Sequence, residues 1–188
     1  LCLSAFGLVL LMNTLTILLS VVAVVLASSY PFMKRYTHWP QAYLGITFGW
    51  SIPMAFAAQS AQLPLLAWWL LLANILWTIA YDTLYAMVDR EDDQCIGVKS
   101  TAILFGRADK LWVGSLHAGS LVLLTGIGYQ LHLSYLYYLG VLSAAALAIY
   151  QQWLIRDREP SRCFQAFLNN HWWGAAIFVG LVLEYYWS

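Results

Sequence analysis

The chain has 188 residues, 62% hydrophobic and 10% charged, with nine basic and nine acidic side chains and a formal net charge of zero. Soluble domains run at roughly 45–50% apolar and about 25% charged, so a soluble core inside a charged skin is excluded, as is a basic field for nucleic acid. The three cysteines, Cys2, Cys95 and Cys163, lie far apart with no Cys-x-x-Cys pair, against both a disulfide framework and a zinc knuckle.

What remains is an integral membrane protein, because each bilayer crossing takes about 20 apolar residues. In chain order, residues 1–11 are the tail of a span and Asn13-Thr14 a tight turn. Full spans follow at 15–32, 40–58, 65–87, 110–129, 133–154 and 167–187. The runs are too long for barrel strands and do not alternate, so each must satisfy its backbone as a helix. The expected fold is an all-α polytopic bundle with six full spans and a partial one. With no internal repeat or linker, residues 1–188 form one transmembrane domain. The chain opens at Leu1 inside an apolar run, with no initiator Met and no basic n-region. It is expected to be the later part of a longer protein rather than one led by a signal peptide.

All nine Lys and Arg residues fall in or beside three breaks: Lys34 and Arg35; Arg90, Lys99, Arg107 and Lys110; Arg156, Arg158 and Arg162. The alternate breaks, near 12–14, 59–64 and 130–132, have none. With six spans the basic breaks share one side, which the positive-inside rule makes cytoplasmic. The C-terminal Tyr185-Tyr186-Trp187 group, with Glu184, then lies opposite as an interfacial belt.

Five of the nine acids, Asp82, Asp89, Glu91, Asp92 and Asp93, crowd into twelve positions where the third full span meets the basic side. A charge run at a helix end is usually a solvated loop. Here Asp82 is still within helical reach of the bilayer, where an unpaired carboxylate is costly. Asp82, Asp89 and Asp93 share a face with Tyr85 if the helix continues, and like charges so stacked call for a cation. Oxygen ligands alone suit Mg²⁺, which bridges a few carboxylates to phosphates. Lys34, Arg35, Arg90 and Lys99 on the same rim suit the remaining phosphate oxygens. Asn74, Thr78, Tyr81 and Tyr85 form a polar stripe that climbs the span toward the acids, as expected beside an internal cavity. The occupant this implies is a lipid with a phosphorylated head.

The string Tyr81-Asp82-Thr83, Tyr85-Ala86-Met87, Asp89-Arg90-Glu91-Asp92-Asp93, Ile96-Gly97 and Lys99-Ser100-Thr101-Ala102 resembles the second aspartate-rich motif of the UbiA-type intramembrane prenyltransferases. Tyr30-Pro31-Phe32-Met33-Lys34-Arg35 is similar to the family's Tyr-x-x-x-Lys pattern, and Gly49-Trp50-Ser51-Ile52-Pro53-Met54-Ala55-Phe56 resembles its 4-hydroxybenzoate branch. The family has nine helices and a first motif of Asn-Asp-x-x-Asp type, which does not occur here. The chain thus resembles the part from late helix three to helix nine, and the fragment alone is not expected to be competent.

The resemblance implies transfer of a polyprenyl chain from its diphosphate to the ring carbon ortho to the hydroxyl of 4-hydroxybenzoate, in ubiquinone biosynthesis at the bacterial inner membrane. It implies Mg²⁺ held by Asp89 and Asp93 with Asp92 and Asp82 in support, and an octaprenyl diphosphate gripped by Lys34, Lys99 and Arg90. Arg35 would pair its fork with the acceptor's carboxylate. Tyr30 and Trp77 would line the cavity with the stripe residues, their aromatic faces shielding an allylic cation. Asp89 would remove the ring proton or orient the phenol.

Within the family the alternative is another acceptor: homogentisate, dihydroxynaphthoate or haem. An ion-coupled transporter is the reading from another class, but it expects ionisable residues at span midpoints, where only Asn74 and hydroxyls are expected here. A CDP-alcohol phosphotransferase would carry a different acidic run. His38, His117, His132 and His171 are expected at interfaces, and Trp172-Trp173 as an interface anchor. Pro53 is expected to kink its helix, and Arg156-Asp157-Arg158-Glu159 to be a solvated turn. Cys95 has no expected role.

Overall fold

A computed structural model describes residues 2–187. They form α1 (Cys2–Val9), α2 (Thr14–Ser29), α3 (Met33–Tyr36), α4 (Pro40–Gly49), α5 (Ser51–Ser60), α6 (Leu65–Val88), α7 (Arg90–Cys95), α8 (Thr101–Phe105), α9 (Asp109–Gln130), α10 (Tyr135–Leu154) and α11 (Pro160–Trp187). The fold is an all-α polytopic membrane bundle. Among the described residues, five stretches are long and apolar enough to cross a bilayer: Thr14–Tyr36, Leu65–Val88, Thr101–Gln130, Tyr135–Asp157 and Pro160–Trp187.

The span expected over 40–58 is two helices that meet at Trp50. Pro53 accounts for the joint, since it offers no N–H to the Gly49 carbonyl one turn earlier. The last span begins at Pro160 rather than 167. Proline suits the first position of a helix, and polar residues near it lower hydropathy without stopping a helix.

Helix ends are set by local side chains. Asn13 caps α2 by accepting the Thr16 N–H at 3.0 Å, and Ser100 caps α8 through the Ile103 N–H at 3.3 Å. The acid-bearing α7 ends in a Schellman motif: Val98 N–H donates to the Asp93 carbonyl at 2.9 Å and Gly97 N–H to that of Gln94 at 3.3 Å. Gly97 has φ +71, the left-handed geometry that position needs.

Packing centres on α6. One of its faces meets α9 and α11, and α10 closes a four-helix group by packing on both. Gly140 and Gly180 bring α10 and α11 so close that a Cβ on Gly140 would stand 2.6 Å from the Ala176 carbonyl oxygen. Small residues permit such backbone contact in membranes. The other face of α6 meets α4 across Gly45 and Gly49, where a Cβ would lie 3.0 Å from Ile75 Cα and 2.6 Å from Asn74 Nδ2. The outer helix α2 packs on α4 and α5 and leaves Leu18, Val21, Val24 and Val25 exposed.

Following the chain through these helices, the segments 30–39, 89–109 and 155–159 emerge at one end of the bundle, and all the Lys and Arg residues gather there.

Candidate functional site

The acidic segment is not one continuous helix. α6 stops at Val88, Asp89 caps it with φ −87 and ψ 5, and α7 begins at Arg90. The Asp93 N–H still donates to the Asp89 carbonyl at 2.8 Å, so the two aspartates keep helical spacing across the joint.

The first basic break is stitched to this segment. Lys99 donates its backbone N–H to the Lys34 carbonyl at 2.9 Å, and its Nζ donates to the Tyr36 carbonyl at 3.2 Å. The Thr101 N–H reaches Oε1 of buried Gln41 at 3.0 Å, while the Thr101 and Thr83 hydroxyls bond at 2.7 Å. Lys34 thereby comes within electrostatic reach of both Asp82 and Asp93. Tyr30 and Tyr81 lie beside Asp82. Arg35, on the neighbouring position, is exposed and forms no ion pair among the described residues.

Asp93 is the most telling member. It is 6% exposed, and its Oδ2 is buried without a hydrogen-bond partner among the described residues. Burial pushes its carboxyl above the usual aspartate range; Lys34 pulls it down, and Asp89 and Asp92 push it up again. A buried carboxylate oxygen with no donor, beside two further acids, fits a site for a hard cation. Among the described residues no three metal-binding side chains already converge. Mg²⁺ does not require that, since one or two carboxylates suffice when phosphates and waters complete its shell.

Below the charged end, aromatic rings line the α6–α11 seam. Trp77 stacks on Trp173 at 4.9 Å and meets Tyr81 edge-on at 5.2 Å, while Tyr85 lies 5.1 Å from Phe167. A cavity of about 190 Å³ touches Asn74 and Trp77, and another of about 280 Å³ touches Trp77 and Tyr81. Thr78 lines neither of them. It is buried against Gly45 of α4, and Asn74 donates to the Gly45 carbonyl at 3.2 Å.

Arg90, expected on a diphosphate, also pairs its Nη2 with buried Asp109. Several other expected placements are corrected. Arg158, expected in a solvated turn, binds the same carboxylate at 2.8 Å. His117 is not interfacial but 1% exposed inside the bundle, its Nε2 3.4 Å from Asn170 Oδ1. Trp173 is 3% exposed and buried on Trp77, whereas its neighbour Trp172 is exposed. Asn170, Gln151 and Glu184 are also buried, so the span interiors hold more polarity than Asn74 and hydroxyls. Glu184 accepts the Ser134 N–H at 2.8 Å and its hydroxyl at 2.5 Å, fastening the start of α10. These pairings join residues far apart in the chain, and no local signal marks them.

Over its full length the chain is 60% identical to a protein of Methylococcus capsulatus named 4-hydroxybenzoate octaprenyltransferase, and covers 64% of it. A protein of Nitrosococcus oceani with the same name is 60% identical over 185 residues, covering 98% of this chain and 65% of that protein. The chain thus spans somewhat under two thirds of the length of these relatives. Among solved structures, the apo form of a UbiA homolog from Aeropyrum pernix K1 superposes with a TM-score of 0.75 at 24% identity, over 94% of this chain and 68% of that one. Digeranylgeranylglyceryl phosphate synthase matches with a TM-score of 0.77 at 15% identity, over 95% of this chain and 64% of that one. Both share the fold. Residues 1–178 match the UbiA prenyltransferase family, and the chain belongs to that family.

Proposed function

We propose that the full-length protein transfers a polyprenyl group, octaprenyl by the names of its relatives, from its diphosphate to the ring carbon ortho to the hydroxyl of 4-hydroxybenzoate. The reaction would serve ubiquinone formation at the bacterial inner membrane, with the basic end cytoplasmic by the positive-inside rule. The observation that carries this reading is the buried, unpartnered Oδ2 of Asp93 on a segment that the Lys34–Lys99 backbone bond joins to the first basic break, at one end of an apolar bundle lined with aromatic rings.

In this reading Asp89 and Asp93 would hold Mg²⁺, with Asp92 and Asp82 beside them, and the bound ion would supply positive charge for the departing diphosphate. Lys34 and Lys99 donate to the diphosphate oxygens, and Lys99 keeps spare donors because its ammonium has three. The exposed Arg35 guanidinium pairs with the carboxylate of the aromatic acid. Cleavage of the allylic C–O bond leaves a cation, and Tyr81, Tyr85 and Trp77 present ring faces that exclude water and favour positive charge. The ring carbon forms the new C–C bond, and a carboxylate oxygen of Asp89 takes the displaced ring proton.

The test is a competition assay on the full-length protein, with labelled octaprenyl diphosphate and equal 4-hydroxybenzoate, homogentisate and dihydroxynaphthoate. Label on 4-hydroxybenzoate alone is expected. Label on either competitor and not on 4-hydroxybenzoate would overturn the acceptor assignment.

A further inference from the structure

Asp109, the first residue of α9, is fully buried and heavily bonded. It accepts from Arg90 Nη2, from Arg158 Nη2 at 2.8 Å and Nε at 3.0 Å, and from the Lys110 N–H at 2.6 Å. Arg158 reaches it from the α10–α11 connection with its backbone in the left-handed region, φ +56. Its Nη2 also donates to the Arg107 carbonyl at 2.7 Å. Its own N–H donates to the Ile155 carbonyl at 3.1 Å, closing the short turn after α10.

The position of Arg90 gives this hub its meaning. Arg90 directly follows Asp89 and opens α7, while Asp93 sits one turn further on. At its far end α7 is tied by the Asp93–Val98 and Lys34–Lys99 backbone bonds. At its near end the side-chain tie is Arg90 to Asp109. Glu91, Asp92, Gln94 and Cys95 between them are exposed. The short helix is strung between two anchors, with Asp93 buried on its inner side.

We infer that Asp109 and Arg158 are positioning residues for the acidic segment, acting through Arg90 to fix how Asp89 and Asp93 face the cation site. This rests on the metal assignment proposed above. Partners behind metal ligands typically change metal affinity by about ten- to a hundredfold when removed.

The experiment measures Mn²⁺ binding by electron paramagnetic resonance on the full-length protein in detergent with a non-reactive prenyl diphosphate analogue. Hydrogen exchange of residues 89–98 is followed in parallel. Asp109→Asn and Arg158→Gln are expected to weaken Mn²⁺ binding about tenfold and to speed exchange in that segment. Asp109→Glu should recover part of both. Gly140→Val, at the distant α10–α11 contact, should lower the melting temperature yet leave Mn²⁺ affinity unchanged. If Asp109→Asn does not fold, Arg158→Gln decides, because that side chain is 34% exposed. Should Asp93→Asn abolish binding while the hub variants bind Mn²⁺ as the parent does, the positioning role is overturned and the metal assignment stands. Should Asp93→Asn also bind normally, the metal assignment falls and takes the positioning role with it.

Discussion

Lys99 and Lys34 are joined by a backbone hydrogen bond of 2.9 Å, from the Lys99 N–H to the Lys34 carbonyl. This bond makes one charged surface out of two loops far apart in sequence. The Lys34 ammonium takes no part in the connection, which the main chain and the Lys99 Nζ–Tyr36 carbonyl bond make. Lys34 can therefore be removed without dismantling the loop pairing.

Lys34→Ala is expected to weaken binding of a prenyl diphosphate roughly ten- to a hundredfold, the worth of a charge-assisted hydrogen bond at a shielded site. Titration of full-length protein with a non-reactive analogue measures it, and the melting temperature should stay near that of the parent. Unchanged affinity would remove Lys34 from the diphosphate.

Asp93→Asn should separate stability from function. The side chain is nearly the same size, but its charge is gone. Burial raises the carboxyl's affinity for a proton in the fold, so the folded state loses stability as pH climbs through that raised value. Asparagine resembles the protonated form. At pH 7 without metal, the variant should melt at or above the parent temperature. Metal-dependent turnover should be lost. A lower melting temperature together with retained turnover would contradict the assignment.

The membrane spans were legible because hydropathy reports length and composition, and both survive without knowledge of packing. Gly97 was legible as part of a motif, and the structure gives its physical reason in the Schellman turn closing α7. The joint at Trp50 follows from Pro53 and the missing donor one turn back. Arg90, Arg158 and Asp109 were opaque for the opposite reason. Each looks like a solvated charge in its own segment, and only the meeting of α7, α9 and the α10–α11 connection pairs them. Trp172 and Trp173 show the same limit on a finer scale. Adjacent helical residues point about 100° apart, so one faces outward while the other is buried on Trp77.

The α10–α11 contact gives a prediction about the fold alone. Gly140 Cα and Gly180 Cα approach so closely that either Cβ would meet backbone within about 3 Å. Gly140→Val should cost about 1–3 kcal/mol through overpacking, measured by denaturant or thermal unfolding in detergent. A change within the error of the measurement would mean that the helices separate freely at this point.

The last prediction concerns Asn170, whose amide joins three helices. Its Oδ1 accepts the Trp77 Nε1–H at 3.1 Å and lies 3.4 Å from His117 Nε2, while its Nδ2 donates to the Ala166 carbonyl at 3.0 Å. His117 Nδ1 and Trp173 Nε1, close by, already lack partners among the described residues. Asn170→Leu would strand the Trp77 donor and the second His117 nitrogen as well. The expected cost is about 1–3 kcal/mol, the penalty for a buried polar group left unpaired. Trp77→Phe removes the donor itself, so combining it with Asn170→Leu should destabilise by less than the two single losses added together. The four unfolding free energies of that cycle measure the coupling. Simple additivity would show that the Trp77–Asn170 bond contributes nothing, and that the Trp77 ring is held by its packing against Trp173 and Tyr81.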